Sequence, residues 1–343
     1  MAVIAPGPSG LEQLWFALIA VLWLGYFFLE GFDFGVGVLL PFVSRDDVDR
    51  RVVINTIGPV WDGNEVWLIV AGGATFAAFP TWYATVFSGF YLALFVLLAA
   101  LIFRGMAFEM RHRRDDARWR TWWDRAIVWG SAIPAFLWGV AFADFVHGVP
   151  LRADHAFGGT FFDLVKPYAL VGGLATLSLF ALHGATYLGL KTEGDLRERA
   201  REAGRRLAPV AFVAVAGLLT WTYLSAHAAH HVGLVPPLLP ILGLGALAVV
   251  GWLVHERQEG WAFAATAVVI VALFATLLLN LYPNVLVSSI RASDDLTIAQ
   301  SASQRYTLEV MSWVALLFTP FVLAYQSWSY WVFRRRVRRP DGQ

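Results

Sequence analysis

The chain has 343 residues, of which 58% are hydrophobic and only 15% charged, with a formal net charge of +1. Soluble domains are about a quarter charged, so this composition argues against a soluble enzyme, and so small a charge leaves no electrostatic footprint for nucleic acid. With no Cys, disulfides, thiolate metal sites, iron–sulfur clusters and a nucleophilic cysteine are all excluded.

A mean hydropathy of +0.59 together with 26 Phe and 16 Trp places most of the chain in hydrocarbon. Apolar runs of about 20 residues, enough to cross a ~30 Å core, recur along its whole length. They predict an all-α polytopic membrane protein of about nine spans: 12–43, 52–78, 81–103, 122–146, 164–190, 207–227, 237–255, 260–281 and 306–333. Residues 1–11 carry no Lys or Arg, so the first span does not read as a cleaved signal peptide. The glycines of Gly31-x-x-x-Gly35-x-Gly37 and Gly172-Gly173 predict close helix contacts. The charged stretch 192–206 reads as a short surface helix or a solvated connector.

Nine spans sort the loops into two sets. All of the 26 Lys and Arg except Arg152, Lys166, Arg291 and Arg305 fall in one set, which includes the tail with Arg334, Arg335, Arg336, Arg338 and Arg339. Cationic loops stay cytoplasmic, so the expected topology is multi-pass with the N-terminus outside and the C-terminus in the cytoplasm.

A charged side chain in mid-bilayer is costly and must be paired, neutral or hydrated. Glu30 and Asp33 lie three apart in the first span, and Asp62 and Glu65 three apart in the second, with Asn64 between; each pair shares a helix face. Asp33 and Asp62 are each about 10 residues, roughly 15 Å, from the cytoplasmic ends of their spans, and are expected to meet across a helical hairpin. Gly58 and Pro59 should loosen the second span and free a carbonyl for a side-chain donor or water. Arg104 closes the third span, followed by Glu109. It is a charge partner for a carboxylate or, from its place at a span end, a snorkelling anchor. The functional reading is a cytoplasmic proton path through Glu109, Asp62, Asn64 and Glu65, with Asp33 and Glu30 alongside; the alternative is polar glue between helices 1 to 3.

Haem would need a His or Met inside a span. Of the eight His only His183 lies deep in one, which makes it the single candidate metal ligand, set against a hydrogen-bonded packing role. His227, His230 and His231 crowd the outer end of the sixth span with no acidic partner near them in sequence. No cofactor is therefore expected to be bound by this chain alone.

Several stretches resemble subunit II of cytochrome bd-type quinol oxidases: Glu30 to Gly37 (EGFDFGVG), Asn55 to Trp67 (NTIGPVWDGNEVW), Ala71 to Pro80 (AGGATFAAFP), Phe103-Arg104, Gly184 to Tyr187 (GATY), Ser303-Gln304 and Val310 to Trp313 (VMSW). The similarity runs the whole chain in order. It implies two four-helix bundles plus one peripheral helix, here 12–146, 164–281 and 306–333, in a pseudosymmetric heterodimer with a haem-bearing subunit I. In such a complex subunit I holds haems b558, b595 and d, quinol is oxidised and O2 is reduced to water. Subunit II supports assembly and is implicated in proton delivery and gas access.

By the resemblance, the proton-path carboxylate of the Trp61-Asp62-Gly63-Asn64 motif is Asp62 and the acidic residue after the span-3 arginine is Glu109. Asp33 and Glu30 match the Gly-Phe-Asp motif and the acid before it, while Trp67, Gly58 and Pro59 belong to the surrounding structural motif. Position 65 is Glu where other members can have Gln, which leaves open whether the site must be uncharged. The resemblance also leaves room for a structural quinone or lipid and for a small single-helix accessory subunit. The competing readings are a proton-coupled transporter, against which residues 164–333 show no second copy of the Trp61–Trp67 motif, and an inert scaffold subunit.

Overall fold

The computed structural model describes residues 7–228 and 238–339; His230, His231 and the His227 side chain lie outside them. The chain starts with α1 (Gly10–Val43), whose 34 residues span about 51 Å, capped by a reciprocal Ser9–Glu12 box. Short α2 (Asp47–Ile57) follows, with the Asp46 carboxylate accepting from the Asp49 N–H. Then come α3 (Trp61–Ala78), α4 (Pro80–Gly89), α5 (Tyr91–Met110), α6 (Ala117–His147), α7 (Pro167–Lys191), α8 (Gly194–Ala228), α9 (Leu238–His255) and α10 (Glu259–Leu281). A two-stranded antiparallel ribbon, β1 (Asn284–Leu286) with β2 (Leu296–Thr297), precedes α11 (Ile298–Ser301) and the last long helix, α12 (Arg305–Val332).

Among the described residues, 8 helices are long and apolar enough to cross a membrane, and the pair α3 and α4, bent by 120°, makes up to 9. The architecture is that of an all-α polytopic membrane protein. Among the described residues α1 packs on α3, α6 and α7, α5 on α6, α6 on α7, α7 on α8 and α9 on α10, while α12 leans on α1 and α3. Only 6% of the most apolar stretch of α12 is buried in the chain.

Three expectations change. The span predicted at 52–78 is two helices, because Pro59 has no N–H to continue the ladder and the chain turns through Gly58–Val60. The span predicted at 81–103 is split as well. The break inside it is at Phe90, between α4 and α5, and just before it Pro80 excludes helical geometry at Phe79, which sits at φ −133° and ψ 67°, so α4 bends back from α3 and α5 makes the crossing. The carbonyls left open at the end of α3 are taken by Ser303, whose hydroxyl donates to Ala77 O at 2.6 Å and whose N–H donates to Ala78 O at 2.8 Å. The charged 192–206 stretch is neither a separate surface helix nor a loop: it forms the first turns of α8. Its arginines are engaged across the bundle, Arg199 with Asp49 at 2.6 Å and Arg197 and Arg201 with Glu259.

The predicted glycine contacts form. A methyl group on Gly35 would lie 1.9 Å from Phe180 O, and one on Gly184 2.3 Å from Gly35 C, so α1 and α7 touch backbone to backbone. The cationic loops gather at one end of the bundle. There Arg111 joins Asp47 and Asp124 at 2.6 Å each, and Arg339 of the tail reaches Asp46 at 2.8 Å and Asp49 at 3.0 Å.

Candidate functional site

One helical turn of α1 carries Glu30 and Asp33, both wholly buried. Opposite them α5 delivers Arg104, also at 0% exposure, and its Nη1 donates to Glu30 and, at 2.9 Å, to Glu65 Oε1 of α3. The guanidinium lies over the Phe34 ring at 4.9 Å and the Phe108 ring at 5.5 Å. It fits because α6 offers Gly130 where it passes: a methyl group there would come within 2.6 Å of Arg104 Cβ. Arg104 is thus the buried counter-ion of two carboxylates and not a surface anchor; the pull of paired charge in a low-dielectric interior outweighs its position near a span end.

Asn64 of α3 is wholly buried. Its Nδ2 donates to Asp33 Oδ2 at 2.6 Å, and its Oδ1 accepts from Gln326 Nε2 at 3.1 Å and the Tyr330 hydroxyl at 2.8 Å. Asn64, not Asp62, therefore meets Asp33, in contrast to the expected Asp33–Asp62 hairpin contact. The break at Gly58–Val60 sets the register of α3 so that residue 64 points inward, while Asp62 and Gly63 face out. Asp62 is exposed in the first turn of α3 and Glu109 is exposed in the last turn of α5. Neither makes a hydrogen bond or ion pair among the described residues. Glu65, one turn beyond Asp62, is 22% exposed and so lies between the open face and the buried group. Glu30 Oε2, Asp33 Oδ1, Arg104 Nε and Arg104 Nη2 are buried with no hydrogen-bond partner among the described residues.

The motif residues around this cluster are structural. Trp61 packs on Phe108, ring centroids 4.9 Å apart. Trp67 lies against Gly25, where a methyl group would come within 2.2 Å of its ring. At the Gly58-Pro59 break the Val60 N–H bonds Ile57 O; this leaves Thr56 O to accept from the Tyr187 hydroxyl at 2.9 Å. The side-chain donor expected at the freed carbonyl is Tyr187 of α7.

His183 does not fit a haem. Its Nδ1 lies 2.6 Å from Thr266 Oγ1 and its Nε2 3.2 Å from Phe28 O, and Phe263 stacks on it at 4.5 Å and 5°. Both nitrogens and one face are already taken. Among the described residues no group of three or more His, Cys, Asp or Glu is arranged to hold a metal ion.

Sequence reasoning missed Tyr330 and Gln326, and also Asp144, which is wholly buried near the other end of α6 with no hydrogen-bond partner for either oxygen among the described residues. An amide in the apolar 306–333 run and an acid in the 122–146 run were the available signals. At the charged end of the bundle, outside the spans, Asp47 is half-buried, which raises its carboxyl, but Arg111 and Arg120 outweigh this and hold it below the usual carboxylate range. The Asp49 backbone N–H, then Arg339, do the same for Asp46. Burial, then Arg111 and Arg51, lowers the His112 imidazole.

The family model for cytochrome bd terminal oxidase subunit II matches residues 11–333. Subunit 2 of the cytochrome bd ubiquinol oxidase of Bacillus subtilis (strain 168) is 41% identical over 336 residues, covering 97% of this chain and 98% of that protein. Subunit 2 of the cytochrome bd-I ubiquinol oxidase of Escherichia coli (strain K12) is 35% identical over 364 residues, covering 96% of each. A chain of the bd oxidase from Geobacillus thermodenitrificans shares the fold with a TM-score of 0.76 at 15% identity, over 95% of this chain and 99% of that one.

Proposed function

The chain belongs to the cytochrome bd terminal oxidase subunit II family, and we propose that it carries protons from the cytoplasm toward a haem-bearing subunit I that oxidises quinol and reduces O2 to water. In this reading it binds no haem itself, supports assembly of its partner, and sits in the bacterial inner membrane with its cationic end in the cytoplasm, as the distribution of Lys and Arg supports. Protons enter at Glu109 and Asp62 and pass by Glu65 to Glu30 and Asp33. The observation that carries this is the cluster of Glu30, Asp33, Glu65 and Arg104. One guanidinium pairs with Glu30 and Glu65 while Asp33 is held by the Asn64 amide, with polar atoms left over and a graded exposure from Asp62 inward. An ionised carboxylate facing lipid is costly, so the outward Asp62 meets a polar surface or water supplied by the assembly.

Asp62→Asn in the assembled oxidase tests the reading. Oxygen consumption and proton uptake fall at least about tenfold while the haem spectra stay intact. Normal turnover would remove Asp62 from the path, and loss of the haems would make it structural. A second role, O2 access, is favoured by an apolar cavity of ≈ 290 Å³ between α1, α3, α4, α5 and α6, lined by Trp23, Gly72, Trp82, Val86, Leu97 and Trp138. Gly72→Val, at a position with nothing within 4 Å, narrows that cavity. It raises the KM for O2 and leaves proton uptake unchanged if gas passes there.

A further inference from the structure

We propose that Tyr330 and Gln326, on the nearly unburied last helix, are positioning residues that lock the Asn64 amide in the one orientation that donates to Asp33. The inference rests on the reading of Asp33 as a proton-carrying group and adds what sets its hydrogen bonding.

A primary amide can be turned over, exchanging its donor and acceptor ends. Here the acceptor end of Asn64 is claimed twice, by the Tyr330 hydroxyl at 2.8 Å and Gln326 Nε2 at 3.1 Å. Turned over, the amide would set its N–H groups against the Gln326 N–H and its oxygen against Asp33 Oδ2, now 2.6 Å from Nδ2. Two buried hydrogen bonds would be lost and two like ends opposed, with Asn64 and Asp33 both out of reach of solvent. The two donors fill both lone pairs of one oxygen, so each adds to the hold on that orientation.

Tyr330 is itself held from α1. Its ring meets Phe32 edge-on, centroids 6.5 Å apart at 79°, and Phe32 lies between Glu30 and Asp33 in sequence. Otherwise α12 has little grip on the bundle. Its second polar anchor is Trp15 Nε1, which donates to Leu308 O and Ser312 Oγ at 3.0 Å each, near the other end of the helix. A displacement of the α12 end bearing Tyr330 and Gln326 is therefore transmitted through one amide to the Asp33 carboxyl.

The test uses the assembled oxidase bearing Tyr330→Phe, Gln326→Met, the double substitution, Asn64→Leu and Asp33→Asn. The Asp33 carboxyl band in the infrared spectrum is the one lost in Asp33→Asn. Each single substitution moves that band only part of the way, because one of the two donors to the amide oxygen remains. The double substitution moves it to higher wavenumber, to the position seen in Asn64→Leu, where the amide is gone. Haem spectra and the Trp15 anchor report an intact complex, so a merely structural role for Tyr330 would not move the band. A double variant whose band stays at the parental position overturns the inference, as does a single substitution that produces the whole shift. Should Asp33→Asn turn over normally, the proton reading of Asp33 fails, while the amide lock is still judged by the band.

Discussion

Arg104→Met tests how the buried cluster is held together. The guanidinium is fully buried between Glu30, at 0% exposure, and Glu65, at 22%. Removing it leaves one acid stranded in the interior and a second half-stranded. Breaking a buried pair from one side costs about 3–5 kcal/mol, and Met keeps most of the volume, so cavity formation adds little. At roughly 2 °C per kcal/mol for a chain of this size, the thermal midpoint of the purified complex, followed by tryptophan fluorescence, falls by about 6–10 °C. The decisive variant is Arg104→Met with Glu30→Gln. It removes the acid paired with Arg104 and recovers about half of the loss or more, since residues that share a buried contact are non-additive by about 0.5–3 kcal/mol. A single variant as stable as the parent would refute the reasoning, and so would a double variant that loses the sum of the two separate costs.

Gly35→Leu drives a side chain into the backbone of α7, where even Cβ would lie 1.9 Å from Phe180 O, and no assembled complex is recovered from membranes; Gly63→Ala, with nothing within 4 Å, assembles normally and gains up to about 1 kcal/mol. His183→Gln leaves the haem absorbance of the complex unchanged, because both ring nitrogens are already engaged with Thr266 and Phe28; loss of a haem band would show that the ring is a ligand. Asp46 is held below its ordinary value by the Asp49 N–H and Arg339, so its contribution is present above the unfolded carboxylate value near 4 and is lost as pH falls through the folded one. The protection of the Val337 amide, which donates to Lys191 O, taken relative to its intrinsic exchange rate, therefore holds from about pH 8 to pH 5 and is lost below about pH 4, whereas Arg339→Ala lowers it throughout.

Much of the fold was legible because hydrocarbon imposes a simple rule: long apolar runs must be helices, and the loops between them carry the charge. The ends of α6, α7, α9, α10 and α12 fall within a few residues of the runs that predict them. The same rule hid the breaks. Hydropathy registers neither the interruption at Pro59 nor the one at Phe90, so the 52–78 and 81–103 runs looked continuous while the backbone turned at Gly58–Val60 and at Phe90. The site was legible in its members and not in its pairings. Glu30, Asp33, Glu65 and Arg104 stand out as charges in apolar runs. Which of Asp62 and Asn64 faces inward depends on the phase of α3, and that is set by the break. Tyr330 and Gln326 were invisible for another reason: they lie more than 260 residues from their partner, and nothing in the local pattern of α12 points to Asn64.

Position 65 separates charge from geometry within the cluster. Glu65→Gln keeps an oxygen for the Arg104 Nη1 donor now at 2.9 Å, and Arg104 retains Glu30 as its ion pair, so the thermal midpoint changes little. What disappears is the ability of position 65 to take up and release a proton, midway in exposure between Asp62 and Glu30. If protons pass through Glu65, proton uptake in the assembled oxidase slows, by a smaller factor than in Asp62→Asn because Asp33 can still be reached past Asn64, and the solvent isotope effect on turnover grows. Unchanged uptake and an unchanged isotope effect would assign Glu65 to charge balance alone and route the proton from Asp62 to Asp33 without it. A large fall in stability would contradict the geometry from which the expectation is drawn, since a neutral acceptor would then have failed where the structure shows a single hydrogen bond to satisfy.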